Sequence, residues 1–428
     1  MAHVSLRDKC SINTNIDTDT FVGVKAVDGD VSVNFPLGFR LSEDDKGLRK
    51  DILLLMNVLS KNTERKDSEI NYNPAYNSVE MPVQAYLYII SDYYARGYYR
   101  EREVSYEVSR NGKINWGRTV KTQRAYLQDD EIYYLDFITK KKNINENELI
   151  TLIHEFCVYE SFDKMGWLFT SAVPPRPNIR FNRRLFHGTV RKKISETFND
   201  RNRQLFINML AVIDFLGDDD PAGDYRYGTY RFEYVWESMI DKVYGIRDKE
   251  NYFPKTRWLL GGQLHDNACL EPDTIMLVNG DRSRIYVLDA KYYKYGWTGN
   301  PGHLPESTSI NKQITYGEYL AENEKFRDEN GNSPHVYNAF LMPFSSSNDR
   351  FASDDELYYI GSAVSDWKIT DGSRPYEQVA GILVDVKTLM KNSSHNEDRI
   401  LRLAKLIEDK VREYRTGLEY GRQNHSGT

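Results

Sequence analysis

The chain has 428 residues and a mass of 50.0 kDa, which is enough for two or three domains. Its content of 40% hydrophobic and 28% charged residues is typical of a folded chain and excludes collagenous, mucin-like and largely disordered proteins. The net charge of −6 argues against a histone-like or polybasic protein, although a local cluster of cations can still bind a polyanion.

The three cysteines, Cys10, Cys157 and Cys269, are too few and too scattered for a disulfide framework or a structural zinc site. Residues 1–8 lack the apolar core of a signal peptide, and no stretch approaches about 18 uninterrupted apolar residues. We therefore expect a soluble, cytoplasmic protein with no membrane partner.

Apolar residues recur at three- and four-residue steps in several parts of the chain, which indicates helices with one face toward a core. These helices are predicted over residues 48–59, 83–99, 147–160, 205–216, 231–244 and 396–414. Runs of aliphatic and aromatic residues predict strands over 337–344 and 381–386. The mixture of elements favours an α/β protein.

Charged and apolar residues alternate over part of residues 100–110, and an Asn-Gly pair predicts a turn before residues 113–121. A helix, an extended hairpin arm and a short helix in this order are typical of a winged-helix-like DNA reader. Lys113 and Arg118 would then contact phosphates, and Trp116 would be a buried anchor.

A basic segment follows over residues 176–204, with nine cations against two acids. Arg183, Arg184, Lys192 and Lys193 are the candidates for phosphate contacts, because a groove needs only a few well-placed cations to bind DNA. A solvated basic helix face is the alternative interpretation.

Two acids and a lysine flank a predicted β-hairpin near the middle of the chain. Runs rich in Ile, Leu and Val surround an Asn-Gly pair, the strongest short-range hairpin signal. Asp273 precedes the first strand, and Asp289 with Lys291 ends the second strand sixteen residues later. Paired strands would bring these side chains together, so that the carboxylates could hold one or two Mg²⁺ ions and the ammonium could offset phosphate charge. A purely structural Asp–Lys pair is the alternative.

Pro272-Asp273 followed by Asp289-Ala290-Lys291 resembles the PD-(D/E)XK nuclease signature in its Asp-X-Lys form. The resemblance covers roughly residues 228–320. It implies a restriction-endonuclease-like core, in which a mixed β-sheet is flanked by helices, and a catalytic role for the two aspartates and the lysine.

The helices on either side of this block also resemble that superfamily. The helix over 231–244 resembles its first core helix, which often adds an acidic metal ligand. Glu237 is preferred in that role, and Glu233, four residues earlier, stays open. The segment 311–319 resembles the glutamine-containing helix of the McrC-like and RecB-like branches, which adds Gln313 to the implied catalytic residues.

A wider resemblance rests on residues 34–43 (NFPLGFRLSE), residues 112–116 (GKINW) and the Asp-Ala-Lys block. These segments are similar to the LlaJI family of type II restriction endonucleases. The resemblance implies Mg²⁺-dependent cleavage of double-stranded DNA, a partner DNA methyltransferase in the same system and target recognition by the N-terminal portion.

We therefore expect an N-terminal α+β DNA-recognition region over residues 1–200, with the basic bridge 176–204, then a nuclease domain over 205–415 and a disordered tail over 416–428. Cleavage of both strands would require a homodimer on DNA or sequential nicking. One alternative is the nuclease subunit of a McrBC-like complex, whose motor must be a separate protein because this chain has no Gly-x-x-x-x-Gly-Lys-[Ser/Thr] loop. Another is a non-catalytic DNA-binding module with a relic nuclease core.

Overall fold

The computed structural model describes residues 5–13, 20–27, 29–63, 81–129, 131–144, 148–170, 172–216, 225–267, 269–351, 355–366 and 374–425. Within these ranges the helices are α1 (Asp45–Thr63), α2 (Val83–Arg96), α3 (Trp116–Thr122), α4 (Leu149–Met165), α5 (Arg183–Glu196), α6 (Asp200–Leu216), α7 (Phe232–Tyr244), α8 (Tyr295–Thr298), α9 (Ser307–Glu322), α10 (Val386–Lys391) and α11 (Glu397–His425). The strands are β1 (Cys10–Ile12), β2 (Val22–Val27), β3 (Asp30–Phe35), β4 (Arg102–Val108), β5 (Lys113–Ile114), β6 (Ala125–Gln128), β7 (Glu131–Tyr134), β8 (Ile138–Ile144), β9 (Tyr225–Thr229), β10 (Arg257–Leu260), β11 (Gln263–Asp266), β12 (Thr274–Met276), β13 (Arg284–Ala290), β14 (His335–Phe344), β15 (Leu357–Val364) and β16 (Gln378–Asp385).

The chain divides into two compact units, and their boundaries differ from the predicted ones. The first unit contains residues 1–79 together with 224–428, and the second contains residues 80–223. The break predicted between residues 200 and 205 falls in the first turn of α6, and α6 packs against α5 within the second unit. The N-terminal segment belongs with the C-terminal part of the chain.

A five-stranded mixed sheet forms the core of the first unit, with the strand order β12-β13-β14-β16-β15. The three central strands run parallel, and the two edge strands are antiparallel to their neighbours. Helix α9 packs on the face that carries Ile285 and Val287. Helix α11 lies on the other face, where Glu408 accepts a hydrogen bond from the Tyr286 hydroxyl. Helices on both faces explain why the central strands are almost continuously apolar.

The predicted β-hairpin is confirmed. Strands β12 and β13 pair antiparallel, with Thr274 opposite Leu288. Asn279 and Gly280 in the connection have φ angles of +51° and +72°, the left-handed conformation that an Asn-Gly turn supplies at low cost. The strands predicted over 337–344 and 381–386 correspond to β14 and β16.

The N-terminal strands belong to a four-stranded sheet with the order β1-β3-β2-β9. Strand β9 pairs with β2, with Tyr225 opposite Ala26, and α1 packs against both strands. This pairing joins residues near position 26 to residues near position 225, which is the physical reason why the first unit is discontinuous in sequence.

The second unit contains the helices α2, α4, α5 and α6 and two small sheets. Helix α4 is apolar on nearly all sides, and most of its residues are buried between the other helices. The extended arm predicted over 100–110 and the short helix predicted after it correspond to β4 and α3. In the three-stranded sheet, which has the order β4-β8-β5, β4 pairs with β8, and the winged-helix-like interpretation stays a prediction.

Two further expectations differ from the structure. Trp116 was predicted to be buried, but it begins α3 with 55% of its surface exposed and contacts Phe137 edge to face. Helix α11 continues to His425 through most of the tail predicted to be disordered, and residues 426–428 lie outside the described residues. Among the described helices, none is long and apolar enough to cross a membrane.

Candidate active site

Asp273, Asp289 and Lys291 come together where β12 begins and β13 ends. Asp273 immediately precedes β12, so the antiparallel register of the hairpin places it beside Asp289. The Ala290 N–H donates a hydrogen bond of 2.8 Å to Oδ2 of Asp273, and Nζ of Lys291 lies 2.9 Å from Oδ2 of Asp289. Strand alternation directs the side chains of Asp289 and Lys291 to the face covered by α9.

The charges in this cluster oppose one another. Burial, followed by the carboxylates of Asp289 and Glu237, raises the pKa of Asp273 well above its ordinary value, and the hydrogen bond from Ala290 offsets only part of the rise. Burial lowers the pKa of Lys291, but the attraction of Asp289 and Asp273 outweighs it, so that the pKa lies above its ordinary value. The cluster thus holds a protonated lysine beside two carboxyl groups that repel each other when both are ionised.

Helix α7 carries both candidate helical acids and presents them differently. The neighbouring Trp236 is fully buried, and its indole N–H donates to the Leu341 carbonyl at 3.2 Å, which fixes the rotation of the helix. Glu237 then lies close enough to Asp273 to raise its pKa. Glu233 instead lies 3.6 Å from Arg231. The structure therefore brings Glu237 toward the aspartates and pairs Glu233 elsewhere.

Gln313 lies in α9 and is fully buried. Its Nε2 donates to the Val287 carbonyl at 2.7 Å, which attaches α9 to β13 two residues before Asp289. Its Oε1 has no hydrogen-bond partner among the described residues. Gln313 thus contacts the strand that carries the candidate site.

Tyr316 is a residue of this site that our reasoning from the sequence missed. Burial, and then the carboxylates of Asp289 and Asp273, raise the pKa of its hydroxyl. That hydroxyl is buried without a hydrogen-bond partner within the described ranges. The available signal was its position three residues after Gln313, on the same face of α9.

The N-terminal segment 34–43 packs against the end of the candidate site. Tyr292 follows Lys291 directly in the chain, and its hydroxyl accepts a hydrogen bond of 2.7 Å from the Leu37 N–H. Gly38 has φ +79°, and a side chain there would meet the backbone of Phe344 at 3.1 Å. This segment therefore has a structural role in the first unit.

The four cations proposed to bind DNA on α5 have different environments. Arg184 and Lys192 are exposed, with Lys192 3.8 Å from Glu196. Arg183 lies beside Asp214 and donates to its carbonyl at 3.3 Å. Lys193 forms a close ion pair with Glu101. Only the first two project from the helix in the way that phosphate contacts require.

The two cations proposed in the 100–121 region are both exposed. Lys113 lies on the short strand β5. Arg118 lies on α3, with its guanidinium 4.0 Å from the centre of the Tyr106 ring. The structure places them in the second unit, outside the unit that carries the carboxylate cluster.

The donors present fit a divalent ion in their chemistry. Asp273 and Asp289 are half-buried, and the repulsion between their carboxylates contributes to the raised pKa of Asp273. A cation between them would relieve that repulsion, and hard cations prefer oxygen ligands. As the side chains stand, no group of three or more His, Cys, Asp or Glu residues within the described part could hold a metal ion. The donors at hand are therefore the carboxylates of Asp273 and Asp289, with Glu237 nearby.

Comparison with known proteins gives a relative in sequence and a neighbour in structure. A component of the type II restriction enzyme BsuMI, YdjA from Bacillus subtilis (strain 168), is 27% identical over 277 residues, which cover 60% of this chain and 56% of that protein. The match thus spans little more than half the length of that relative. A solved half-complex of Thermococcus gammatolerans McrB AAA+ hexamers with bound McrC matches 90% of this chain and 83% of that chain, at 14% identity and a TM-score of 0.34.

A sequence model of the LlaJI restriction endonuclease family matches residues 21–361. This range includes the segment 34–43, strands β12 and β13 with the carboxylate cluster, and helix α9. The chain therefore belongs to the LlaJI restriction endonuclease family.

Proposed function

We propose that this chain is a Mg²⁺-dependent endonuclease of a restriction-modification system that hydrolyses phosphodiesters in double-stranded DNA. The observation that carries the proposal is the meeting of Asp273, Asp289 and Lys291 at one end of the β12–β13 hairpin, in a chain of a restriction endonuclease family. Glu237 is the third acidic residue of the proposed site, and Gln313 is a supporting residue on α9.

The order of elements around the site supports a restriction-endonuclease-like core. An acidic helix, α7, comes first, followed by the antiparallel pair β12 and β13, the helix α9, and then β14 parallel to β13. This is the arrangement that the PD-(D/E)XK resemblance implies for residues 228–320.

The proposed roles follow from charge and position. Asp273 and Asp289 would hold the Mg²⁺ ion, which would supply Lewis-acid stabilisation of the negative charge on the phosphodiester. Lys291 remains protonated near neutral pH because its pKa is raised, so its ammonium can offset phosphate charge on the same side of the strand. Glu237 adds negative charge beside Asp273, which strengthens attraction for a divalent cation.

A cleavage assay tests the proposal. Purified full-length chain is incubated with unmethylated phage DNA and Mg²⁺, and the ends of the fragments are sequenced. We expect discrete fragments with common end sequences, loss of cutting in EDTA and loss of cutting by Asp289→Ala. Lys387→Met serves as the control, because Lys387 pairs with Asp51 away from the carboxylate cluster. Equal cutting by wild type and Asp289→Ala would reject the site.

The contacts with DNA, the cleavage of both DNA strands and the protection of host DNA are further parts of the proposal. The exposed Arg184 and Lys192 on α5, with Lys113 and Arg118, are the proposed phosphate contacts. One such site cuts one strand, so a homodimer on DNA or two successive nicks would produce a double-strand break. A partner DNA methyltransferase would protect host DNA, and methylating the sequenced target before digestion should abolish cutting.

A second candidate is favoured by the Bacillus subtilis relative, which is a component of a restriction enzyme. In this case the chain supplies the nuclease site, and a further protein supplies recognition or a motor. Cutting by the isolated chain in Mg²⁺ alone supports the first candidate. Cutting that appears only when a co-expressed protein is added, with or without a nucleoside triphosphate, supports the second.

A further inference from the structure

Asp273 lies just outside the strand ladder, so its position depends on contacts other than strand pairing. Strand β12 begins at Thr274, and the carboxylate of Asp273 accepts a hydrogen bond from Ala290. An attachment of its main chain outside the ladder would hold residue 273 in place.

Lys249 supplies that attachment from outside the cluster. Its ammonium donates to the main-chain carbonyl of Asp273, so it holds the backbone and leaves the carboxylate available. Lys249 begins a short 3-10 helix, Lys249–Tyr252, that follows α7. Nothing in the pattern of charged residues marks it, because its partner is a carbonyl oxygen that every residue carries.

Asp241 anchors Lys249. Its Oδ1 lies 3.0 Å from Nζ of Lys249 and accepts a hydrogen bond of 3.2 Å from the hydroxyl of Thr274. The side chains of Lys249 and Asp241 are only 23% and 20% exposed, so the ion pair is partly shielded from solvent and from salt. Asp241 is one helical turn after Glu237, and α7 therefore reaches the start of β12 at two successive turns.

We infer that Lys249 is a positioning residue that, anchored by Asp241, holds Asp273 where its carboxylate can bind a divalent cation. The cation-binding part of this inference rests on the proposed function. A protonated ammonium has no lone pair with which to ligate a cation, so the loss of Lys249 should weaken cation binding without removing a ligand. Residues that orient metal ligands in this way typically contribute about 10- to 100-fold to metal affinity.

Two measurements on the full-length chain test the inference without DNA. The first is hydrogen–deuterium exchange of the Ala290 amide, whose hydrogen bond reports directly on the Asp273 carboxylate. The second is calorimetric titration with Mn²⁺. For Lys249→Met we expect faster exchange at Ala290 and roughly tenfold weaker Mn²⁺ binding, and Lys249→Arg should recover most of both because it keeps a donor and a positive charge.

Lys387→Met is the matched control, because Lys387 also donates to a main-chain carbonyl, that of Arg40 at 3.0 Å, and is also paired with an aspartate, Asp51. It should leave Ala290 exchange and Mn²⁺ affinity unchanged. Unchanged Ala290 exchange in Lys249→Met, or an equal effect of Lys387→Met, would overturn the inference. A wild-type chain that binds no Mn²⁺ would contradict the proposed metal site instead, and the exchange comparison would still decide the role of Lys249.

Discussion

Lys291→Met should destabilise the chain in the absence of divalent ions. Removing one partner of a buried ion pair typically costs about 3–5 kcal/mol, because the remaining charge is left uncompensated. Here the side chains of Lys291 and Asp289 are 23% and 13% exposed, and residual solvation reduces the expected loss to about 2–3 kcal/mol. The loss should exceed that of an ordinary surface pair, about 0–1 kcal/mol, because Asp273 and Asp289 then face each other without a cation.

The assay is urea unfolding of the full-length chain followed by tryptophan fluorescence, in EDTA and in Mg²⁺. In EDTA the midpoint of Lys291→Met should fall below that of wild type. In Mg²⁺ the gap should narrow, because the ion replaces the missing positive charge and binds only the folded chain. The matched control is Lys387→Met, since Lys387 forms a comparably shielded pair with Asp51 at 2.7 Å but has no second carboxylate of the candidate site beside it.

Lys387→Met should lose similar stability and gain nothing further from Mg²⁺ relative to wild type. If Lys291→Met and wild type unfold at the same urea concentration in EDTA, then the charge balance that we derive for the cluster is wrong. If Mg²⁺ narrows the gap equally for both variants, the ion acts elsewhere on the chain.

Asp289→Ala should abolish cleavage while DNA binding, measured by gel shift, stays near the wild-type level, because the variant loses a metal ligand but keeps every phosphate contact. Loss of DNA binding as well would indicate that Asp289 contacts DNA. Replacing Arg184 and Lys192 by Ala should lower the salt slope of DNA binding by about 1.8, since each lost phosphate contact contributes about 0.9, and an unchanged slope would assign α5 to ordinary surface. Lys193→Ala, which breaks the pair with Glu101, should instead lower the urea midpoint of the second unit. Because the pKa of Asp273 is raised, the folded, metal-free chain keeps this proton to higher pH than the unfolded chain does. The free energy of unfolding should therefore fall as pH rises above about 3.9 and through the folded-state pKa. Asp273→Asn should reduce that fall, and a pH profile of Asp273→Asn identical to that of wild type would contradict this linkage.

The sequence alone was sufficient for the centre of the candidate site. Asp273 and Asp289 with Lys291 could be placed together because an Asn-Gly turn between two apolar runs specifies both the hairpin and its register. Strand alternation then fixed which side chains share a face. Each of these signals lies within a short stretch of the chain, so a single sequence is sufficient to recognise it.

The features that were missed depend on contacts with no local signature. Strand β9 pairs with β2 across about two hundred residues, and neither strand indicates its partner. Lys249 holds a main-chain carbonyl, and Trp116 is exposed although tryptophan is usually buried. The split of the basic residues on α5 depends on which acid, Glu101 or Asp214, lies beside each cation in three dimensions.

The discontinuity of the first unit has a consequence for synthesis on the ribosome. Ala26 pairs with Tyr225, so 199 residues (225 − 26) must be added after Ala26 before β2 acquires this neighbour. At about 5–20 residues per second this takes about 10–40 s, during which one edge of β2 is open to incorrect pairing. The second unit, which is continuous in sequence, can fold within that interval. Nascent chains stalled before Tyr225 should therefore engage chaperones through their N-terminal strands.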